Sequence, residues 1–207
     1  VLIMIKAIIF DYRGVVAGRK SEESGLFGLC QQFSKVLKIP VNRIYPAYDK
    51  YWKDWKLGKL TMHQVYSNFL KDIGSDYPVE KLIDITLNYS KLNKQVVNLI
   101  IKIKKNYKVV CLTNHAREWF SNEVKRFDLN ILFDKIYTSY NLKVDKPHEE
   151  VYRLVLKDLN LQPDETVFID DLERNTEVAS SLGMSTIHFR SYSQLKKELS
   201  KLGVTAL

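Results

Sequence analysis

Four short motifs, far apart in the chain, each place a polar residue at or just beyond the end of a predicted β-strand. They are IIFDYRGVV, VVCLTN, DKPHEEVY and TVFIDDLERN, and their polar residues are Asp11, Thr113, Lys146, Asp170 and Asp171. In an open parallel sheet, residues that follow the carboxyl ends of the strands meet in one crevice. We therefore expect three carboxylates, a hydroxyl and an ammonium group to share a single site.

The order of apolar and amphipathic segments predicts an α/β fold. Short β-branched or apolar runs bounded by polar residues predict strands at Ile3–Phe10, Lys108–Leu112, Lys135–Thr138, Thr166–Ile169 and Ser185–Phe189. Helical spacing predicts helices at Lys94–Lys105, Arg117–Phe127, Glu149–Leu159, Thr176–Leu182 and Ser193–Leu202. We expect Pro147 in the first turn of a helix and Gly183 at a helix C-terminus. Strands that alternate with helices indicate right-handed crossovers and a mainly parallel sheet.

Residues 17–92 interrupt this alternation. They show helical periodicity without a convincing strand, and Pro40, Gly58, Gly74 and Pro78 punctuate them. We predict a helical insertion at 17–92 between the two parts of an α/β core, residues 1–16 and 93–207.

Composition favours a soluble, cytoplasmic protein. No apolar run approaches the roughly 20 residues that span a bilayer, and the apolar first residues resemble a buried strand more than a signal peptide. Cys30 and Cys111 do not suggest a disulfide framework. The net charge of +8 suits an anionic ligand, but the lysines are dispersed, so we expect neither a nucleic-acid nor a membrane partner. The sequence does not indicate an oligomeric state.

The carboxylates predict metal-assisted chemistry. Adjacent charges at Asp170 and Asp171 repel each other unless a cation or hydrogen bonds compensate, which indicates Mg²⁺. Asp11 could then attack phosphorus and form an aspartyl-phosphate. Thr113 and Lys146 would bind the phosphoryl oxygens through a hydroxyl and a compact positive charge. Each aspartate could instead cap a turn or a helix.

Together, these motifs resemble those of the haloacid dehalogenase-like (HAD) superfamily, most closely the phosphatase domain of soluble epoxide hydrolases. The resemblance rests on LTN, KP and FIDD followed by Asn175, and it implies a Rossmann-like core with a small inserted α-helical cap. It also implies a hydrolase that acts on a small phosphorylated substrate with Mg²⁺.

The same resemblance suggests how the site is divided. The metal ligands would be Asp171 directly, Asp170 in a supporting position, the side chain of Asp11 and the backbone carbonyl of Arg13. Substrate would contact Gly14, Thr113, Asn114 and Lys146, and the catalytic set would be Asp11, Arg13, Thr113 and Lys146. Asn175 would orient the loop that follows the aspartate pair.

Arg13 departs from the phosphatase pattern, in which an aspartate acid/base commonly stands two residues after the nucleophile. A guanidinium group cannot act as a general base, and losing a positioned acid/base typically costs about 10²- to 10⁴-fold in rate. Three consequences are open: a preference for leaving groups of low pKa, another acid/base such as His63, or a different reaction in which Arg13 binds substrate. Dehalogenases of the superfamily also lack this aspartate, but they do not use the metal-binding aspartate pair.

The predicted cap is rich in aromatic residues. Tyr48, Trp52 and Trp55 recur at helical spacing, which favours packing within a helical bundle over an aromatic roof above the site. Arg19 and Lys20 could reach substrate. Two functions from different classes are compatible with these observations: a Mg²⁺-dependent phosphohydrolase, or a weakened relative that binds a phosphorylated ligand or protein without efficient turnover.

Overall fold

A parallel sheet forms the centre of the molecule. The computed structural model describes residues 4–18 and 26–205, and within these ranges the sheet has five strands, all parallel. They are β1 (Ala7–Phe10), β2 (Lys108–Thr113), β3 (Lys135–Thr138), β4 (Thr166–Asp170) and β5 (Ser185–His188), in the order β3-β2-β1-β4-β5. The α/β prediction is confirmed. Every residue of β1 is buried, as expected for the central strand of a sheet covered on both faces.

The register of the central strands aligns the predicted site residues. Phe10 pairs with Cys111 on one side and with Ile169 on the other. The next residue, Asp11, therefore lies level with Asp170 at the carboxyl edge of the sheet.

Helices cover the sheet on both sides. Those that follow the cap are α6 (Lys94–Ile103), α7 (Arg117–Arg126), α8 (Leu129–Leu132), α9 (Ser139–Leu142), α10 (Glu149–Leu159), α11 (Glu173–Ser181) and α12 (Tyr192–Lys201). Alternate β1 residues separate the two layers: Ile8 packs with α6 and α12, and Ile9 packs with α10 and α11. This alternation is the period-2 geometry of a strand.

The segment between β1 and β2 contains the helices α1 (Leu26–Leu37), α2 (Val41–Asp49), α3 (Trp52–Lys56), α4 (Met62–Ile73) and α5 (Val79–Tyr89). They share an apolar cluster that includes Phe33, Tyr48 and Trp55. Ala116 and Trp119 of the core belong to the same cluster, so the cap packs on the core through apolar contacts. The boundaries at 16/17 and 92/93 stay predictions.

Two backbone hydrogen bonds hold the chain entering the cap against the chain leaving it. The Gly18 N–H donates to the Lys91 carbonyl at 2.9 Å, and the Asn93 N–H donates to the Val16 carbonyl at 2.9 Å. The loop that carries Arg13 is thereby tied to the segment that ends the cap.

Several local predictions need correction. Strand β1 begins at Ala7, and Ile3 lies outside the described residues. Helix α11 begins at Glu173, one turn before the predicted Thr176, and the short helices α8 and α9 were not predicted. Pro147 is not in a helix: it follows a cis peptide bond in a turn closed by the His148 N–H and the Asp145 carbonyl at 3.1 Å. This turn directs Lys146 toward the edge of the sheet.

None of the helices in the described part of the chain has the length and apolar character needed to cross a membrane.

Candidate active site

Asp11 lies at the centre of the site, directly after the central strand. Its N–H donates to the Ile169 carbonyl at 2.8 Å, and its Oδ1 accepts from the Tyr12 N–H at 2.7 Å. Only 6% of the residue is exposed. The sheet and the following turn therefore fix the orientation of this carboxylate.

Lys146 joins Asp11 to Asp170. Its Nζ lies 2.8 Å from Asp11 Oδ1 and 2.6 Å from Asp170 Oδ2. Burial alone would lower the pKa of Lys146, but the two carboxylates outweigh burial and raise it above its ordinary value. The ammonium group is therefore charged at neutral pH and supplies a fixed positive charge beside Asp11.

Asp170 is held from several sides. The Asn175 amide donates to its two carboxylate oxygens at 2.9 and 3.0 Å, and the Leu172 N–H donates to Oδ1 at 2.8 Å. Together with Lys146, these donors engage both oxygens. Asn175 thus holds the first aspartate of the pair, and the role in orienting the loop that the resemblance implied stays a prediction.

The structure brings Asp11, Asp170 and Asp171 together with a carboxylate oxygen of each within 4.8 Å of the others. Burial raises the pKa of Asp11 well above its ordinary value, and the charges of Asp170 and Asp171 add to the effect against the opposing Lys146. Burial and the neighbouring Asp170 raise the pKa of Asp171 to about 6. Three carboxylates facing one ammonium group leave excess negative charge, and hard oxygen ligands of this kind suit Mg²⁺.

Gly14 permits the close approach of Asp171. A Cβ atom on Gly14 would lie 2.0 Å from Asp171 Oδ2, and the residue has a φ of +87°. Both the contact and the left-handed backbone require glycine. Gly14 lines the cavity above the site. Its contact with substrate stays a prediction.

Thr113 and Asn114 have different environments. The Thr113 hydroxyl is buried at the end of β2 and has no hydrogen-bond partner among the described residues. Such an orphaned group suits a bound oxyanion. The Asn114 amide instead donates to the Lys146 carbonyl at 2.9 Å and accepts from the Lys146 N–H at 3.0 Å. Asn114 therefore positions the backbone of Lys146, a contact that the sequence did not reveal.

The Arg13 guanidinium is engaged by the protein itself. Its Nη1 lies 3.7 Å from Glu123 Oε1, 3.4 Å from Ser90 Oγ and 3.4 Å from His115 Nε2. The guanidinium carbon also lies 4.2 Å from the centre of the Trp119 ring, within cation–π range. Arg13 thus connects the loop after β1, the end of the cap and helix α7.

Glu123 is the buried counterpart of Arg13, with 0% of its side chain exposed. Burial would raise its pKa, but hydrogen bonding to His115 and the charge of Arg13 help to hold it at about 2. Burial lowers the pKa of His115, so its imidazole is neutral at neutral pH. The guanidinium is therefore the full positive charge that balances this carboxylate.

Sequence reasoning missed Glu123 and Ser90. A signal for Glu123 did exist: it stands four residues after Trp119 and three after Phe120, on the buried face of α7. An acidic residue on an apolar helix face indicates a buried ionic partner. No local pattern pointed to Ser90.

The remaining candidate side chains are dispersed. His63 is an exposed cap residue 3.3 Å from Ser67 and 3.9 Å from Glu80, and it does not line the cavity above Asp11. His115 is buried behind Arg13. Arg19 and Lys20 lie outside the described residues.

A cavity of about 410 Å³ separates the carboxylates from the cap. The cap side is lined by Leu26, Phe27, Tyr45, Asp49, Trp52 and Lys56. The aromatic residues therefore divide between two roles. Tyr48 and Trp55 are buried in the cap cluster, as the packing interpretation predicted, whereas Trp52 faces the cavity.

Comparison with known proteins identifies the family. A family model described as haloacid dehalogenase-like hydrolase matches residues 32–189, well over half of the chain. The chain belongs to this family. The resemblance inferred from the four motifs is thereby confirmed, as is the prediction of a HAD-like hydrolase.

Among its relatives, D-ribitol-5-phosphate phosphatase from Bacteroides thetaiotaomicron is 27% identical over 210 residues, covering 95% of this chain and 97% of the relative. Bifunctional epoxide hydrolase 2 from Sus scrofa is 28% identical and aligns with 96% of this chain, which spans 39% of that longer protein. These relatives support a phosphatase-like function for this HAD hydrolase.

A solved structure agrees with the fold. A HAD family enzyme from Bacteroides thetaiotaomicron, in complex with magnesium and inorganic phosphate, superposes with a TM-score of 0.76. It is 24% identical and covers 88% of this chain and 93% of its own. At this identity the likeness shows a shared fold, including the Rossmann-like core.

Proposed function

We propose that this protein is a Mg²⁺-dependent phosphohydrolase that cleaves a small phosphorylated metabolite through an aspartyl-phosphate on Asp11. One observation carries the proposal: Asp11, Asp170 and Asp171 meet within 4.8 Å at the sheet edge, with Lys146 2.8 Å from Asp11. This arrangement combines a nucleophile, a divalent-cation site and a phosphoryl-binding cation. Such a combination is suited to phosphoryl transfer, which depends on positioning and charge stabilisation.

The residues present fit a Mg²⁺ ion. Asp11, Asp171 and the backbone carbonyl of Arg13 would hold it, with Asp170 in support. The bound ion would neutralise negative charge on the phosphoryl group and allow an anionic nucleophile to approach.

The chain's own groups then account for the transfer. Tyr12 N–H and Lys146 hold Asp11 Oδ1, which orients the carboxylate for attack on phosphorus. A bond forms between an Asp11 oxygen and phosphorus, the ester P–O bond breaks, and the electron pair leaves with the departing oxygen. Lys146 and the unpartnered Thr113 hydroxyl would stabilise the phosphoryl oxygens. Water then cleaves the acyl phosphate and releases inorganic phosphate.

One alternative is supported by a specific observation. Arg13 occupies the position of the usual acid/base, and Glu123 holds its side chain. A protein of this kind could bind a phosphorylated ligand or protein without efficient turnover. Dehalogenation is less well supported, since the acidic cluster has no role in a metal-independent displacement of halide.

The decisive experiment measures phosphate release over a panel of aryl, acyl and sugar phosphates with and without Mg²⁺. Asp11→Asn serves as the test variant, and Asp54→Asn serves as the matched control because Asp54 pairs with Lys59 on the cap surface. We expect turnover that requires both Mg²⁺ and Asp11. Mass spectrometry of acid-quenched samples should find the phosphoryl group on the peptide that contains Asp11.

Two outcomes would contradict the proposal. Mg²⁺ binding without turnover of any ester would favour the binding function. Equal turnover by Asp11→Asn would exclude Asp11 as the nucleophile.

A further inference from the structure

The cap presents aromatic surface to the site. Phe27 and Tyr45 meet edge to face with ring centres 5.5 Å apart, and Trp52 packs edge-on against the buried Trp55 at 5.9 Å. Phe27, Tyr45 and Trp52 line the same cavity as Asp11. We call these three residues the aromatic wall. Aromatic faces of this kind favour a planar, ring-bearing ligand.

The cationic groups of the cavity are poor sources of a proton for a leaving oxygen. Glu123 holds the side chain of Arg13, and guanidinium groups such as those of Arg13 and Arg174 do not act as acids in proteins. Lys146 Nζ is shared between the Asp11 and Asp170 carboxylates at 2.8 and 2.6 Å. Lys56 pairs with Asp145 at 2.5 Å.

Two acidic groups remain on the cap side of the described cavity. Burial, together with the charge of Asp49, raises the pKa of Tyr45 and makes its hydroxyl a weaker acid. Asp49 itself is an exposed residue at the last position of α2. Neither group stands in the loop after β1, where Arg13 replaces the acid.

On the basis of the proposed function, we propose that the preferred substrates are aryl phosphate monoesters, with the ring against the aromatic wall and a phenolate leaving without protonation by the enzyme. The Asp11 oxygen forms a bond to phosphorus, the aryl O–P bond breaks, and its electron pair departs on the phenolate. The phenolate later takes a proton from water. An unsubstituted phenol, with a pKa of about 10 as in tyrosine, is a far better leaving group than an aliphatic alcohol.

The test is a leaving-group series measured with Mg²⁺: phenyl phosphates with increasingly electron-withdrawing substituents and an alkyl phosphate of similar size. We expect kcat/KM to rise steeply as the pKa of the phenol falls. The alkyl ester should be slower than phenyl phosphate by at least about 10²-fold, the lower end of what a general acid typically contributes.

Variants separate the two parts of the inference. Trp52→Leu should raise KM for the aryl esters but leave acetyl phosphate, which has no ring, unaffected. Tyr51→Leu is the matched control, because the Tyr51 hydroxyl donates a hydrogen bond to Asp72 on the cap surface. Asp49→Asn should leave the slope of the series unchanged, as should the control Asp54→Asn.

The outcomes distinguish this inference from the function on which it rests. If none of the esters in the series is turned over, both the proposed function and this inference are overturned. Turnover with little dependence on leaving-group pKa would overturn the inference alone. A slope that becomes steep only in Asp49→Asn would likewise overturn it, since Asp49 would then be the proton donor.

Discussion

Replacing Arg13 by methionine should destabilise the protein strongly, because it leaves the Glu123 carboxylate buried without a full positive charge. Methionine keeps an unbranched apolar side chain and removes the guanidinium group that lies over the Trp119 ring. Breaking a buried ion pair by removing one partner typically costs about 3–5 kcal/mol. The cation–π contact at 4.2 Å adds about 0.5–2 kcal/mol.

The pKa of Glu123 points in the same direction, although hydrogen bonding to His115 lowers it more than the charge of Arg13 does. The pKa of Glu123 is held at about 2 in the folded protein, compared with an ordinary value of 4.5. A depression of this size corresponds to about 3 kcal/mol of stability, which His115, Arg13 and Ser90 share. Because the folded pKa is the lower one, this contribution is fully present above pH 4.5 and is lost as the pH falls toward 2.

The assay is urea unfolding of the wild type, Arg13→Met, Glu123→Gln and the double variant at neutral pH. Glu123→Gln should cost less than Arg13→Met, because it leaves a partly exposed cation rather than a buried anion. The double variant should recover about 2–3 kcal/mol relative to the sum of the single changes. The acid-induced loss of stability between pH 4.5 and 2 should also be smaller in Arg13→Met.

A cost below about 1 kcal/mol for Arg13→Met, together with additive changes in the double variant, would refute this reasoning. Such a result would show that water or His115, not Arg13, balances Glu123.

Three further predictions follow from the same contacts. Arg13→Asp should unfold more readily than Arg13→Met and gain no turnover, because its new carboxylate would meet Glu123; urea unfolding and phosphate release test this. Gly14→Ala should weaken Mg²⁺ binding at least tenfold, as measured by calorimetry. The new Cβ atom would lie 2.0 Å from Asp171 Oδ2, so the Asp171 carboxylate would have to move. A circular dichroism spectrum like that of the wild type would separate this effect from misfolding, and unchanged affinity would contradict it. Asn175→Ala should lower the free energy of unfolding by about 1–3 kcal/mol, because the buried Asp170 loses its amide donor. Unchanged stability would mean that water replaces the amide.

Much of the fold could be predicted because its signals are local. Helix α10 and strand β3 have the predicted bounds, since a short apolar run or an amphipathic repeat is enough to specify them. The short helices α8 and α9 escaped prediction because four residues contain too little periodicity. Pro147 was misassigned because the turn at Asp145–His148 depends on contacts around Lys146.

The sequence by itself determined that Asp11, Thr113 and the aspartate pair lie at or just after the ends of strands, and parallel-sheet geometry then places such residues at one edge. Lys146 was predicted to share this position, but helix α9 separates it from β3, and a turn brings it to the same edge. Tertiary structure alone decided what surrounds them. Arg13 meets Glu123, a residue distant in sequence, and the aromatic residues of the cap divide between its interior and the cavity. The partner and the charge state of a side chain depend on long-range packing and burial. Neither periodicity nor motif spacing contains that information.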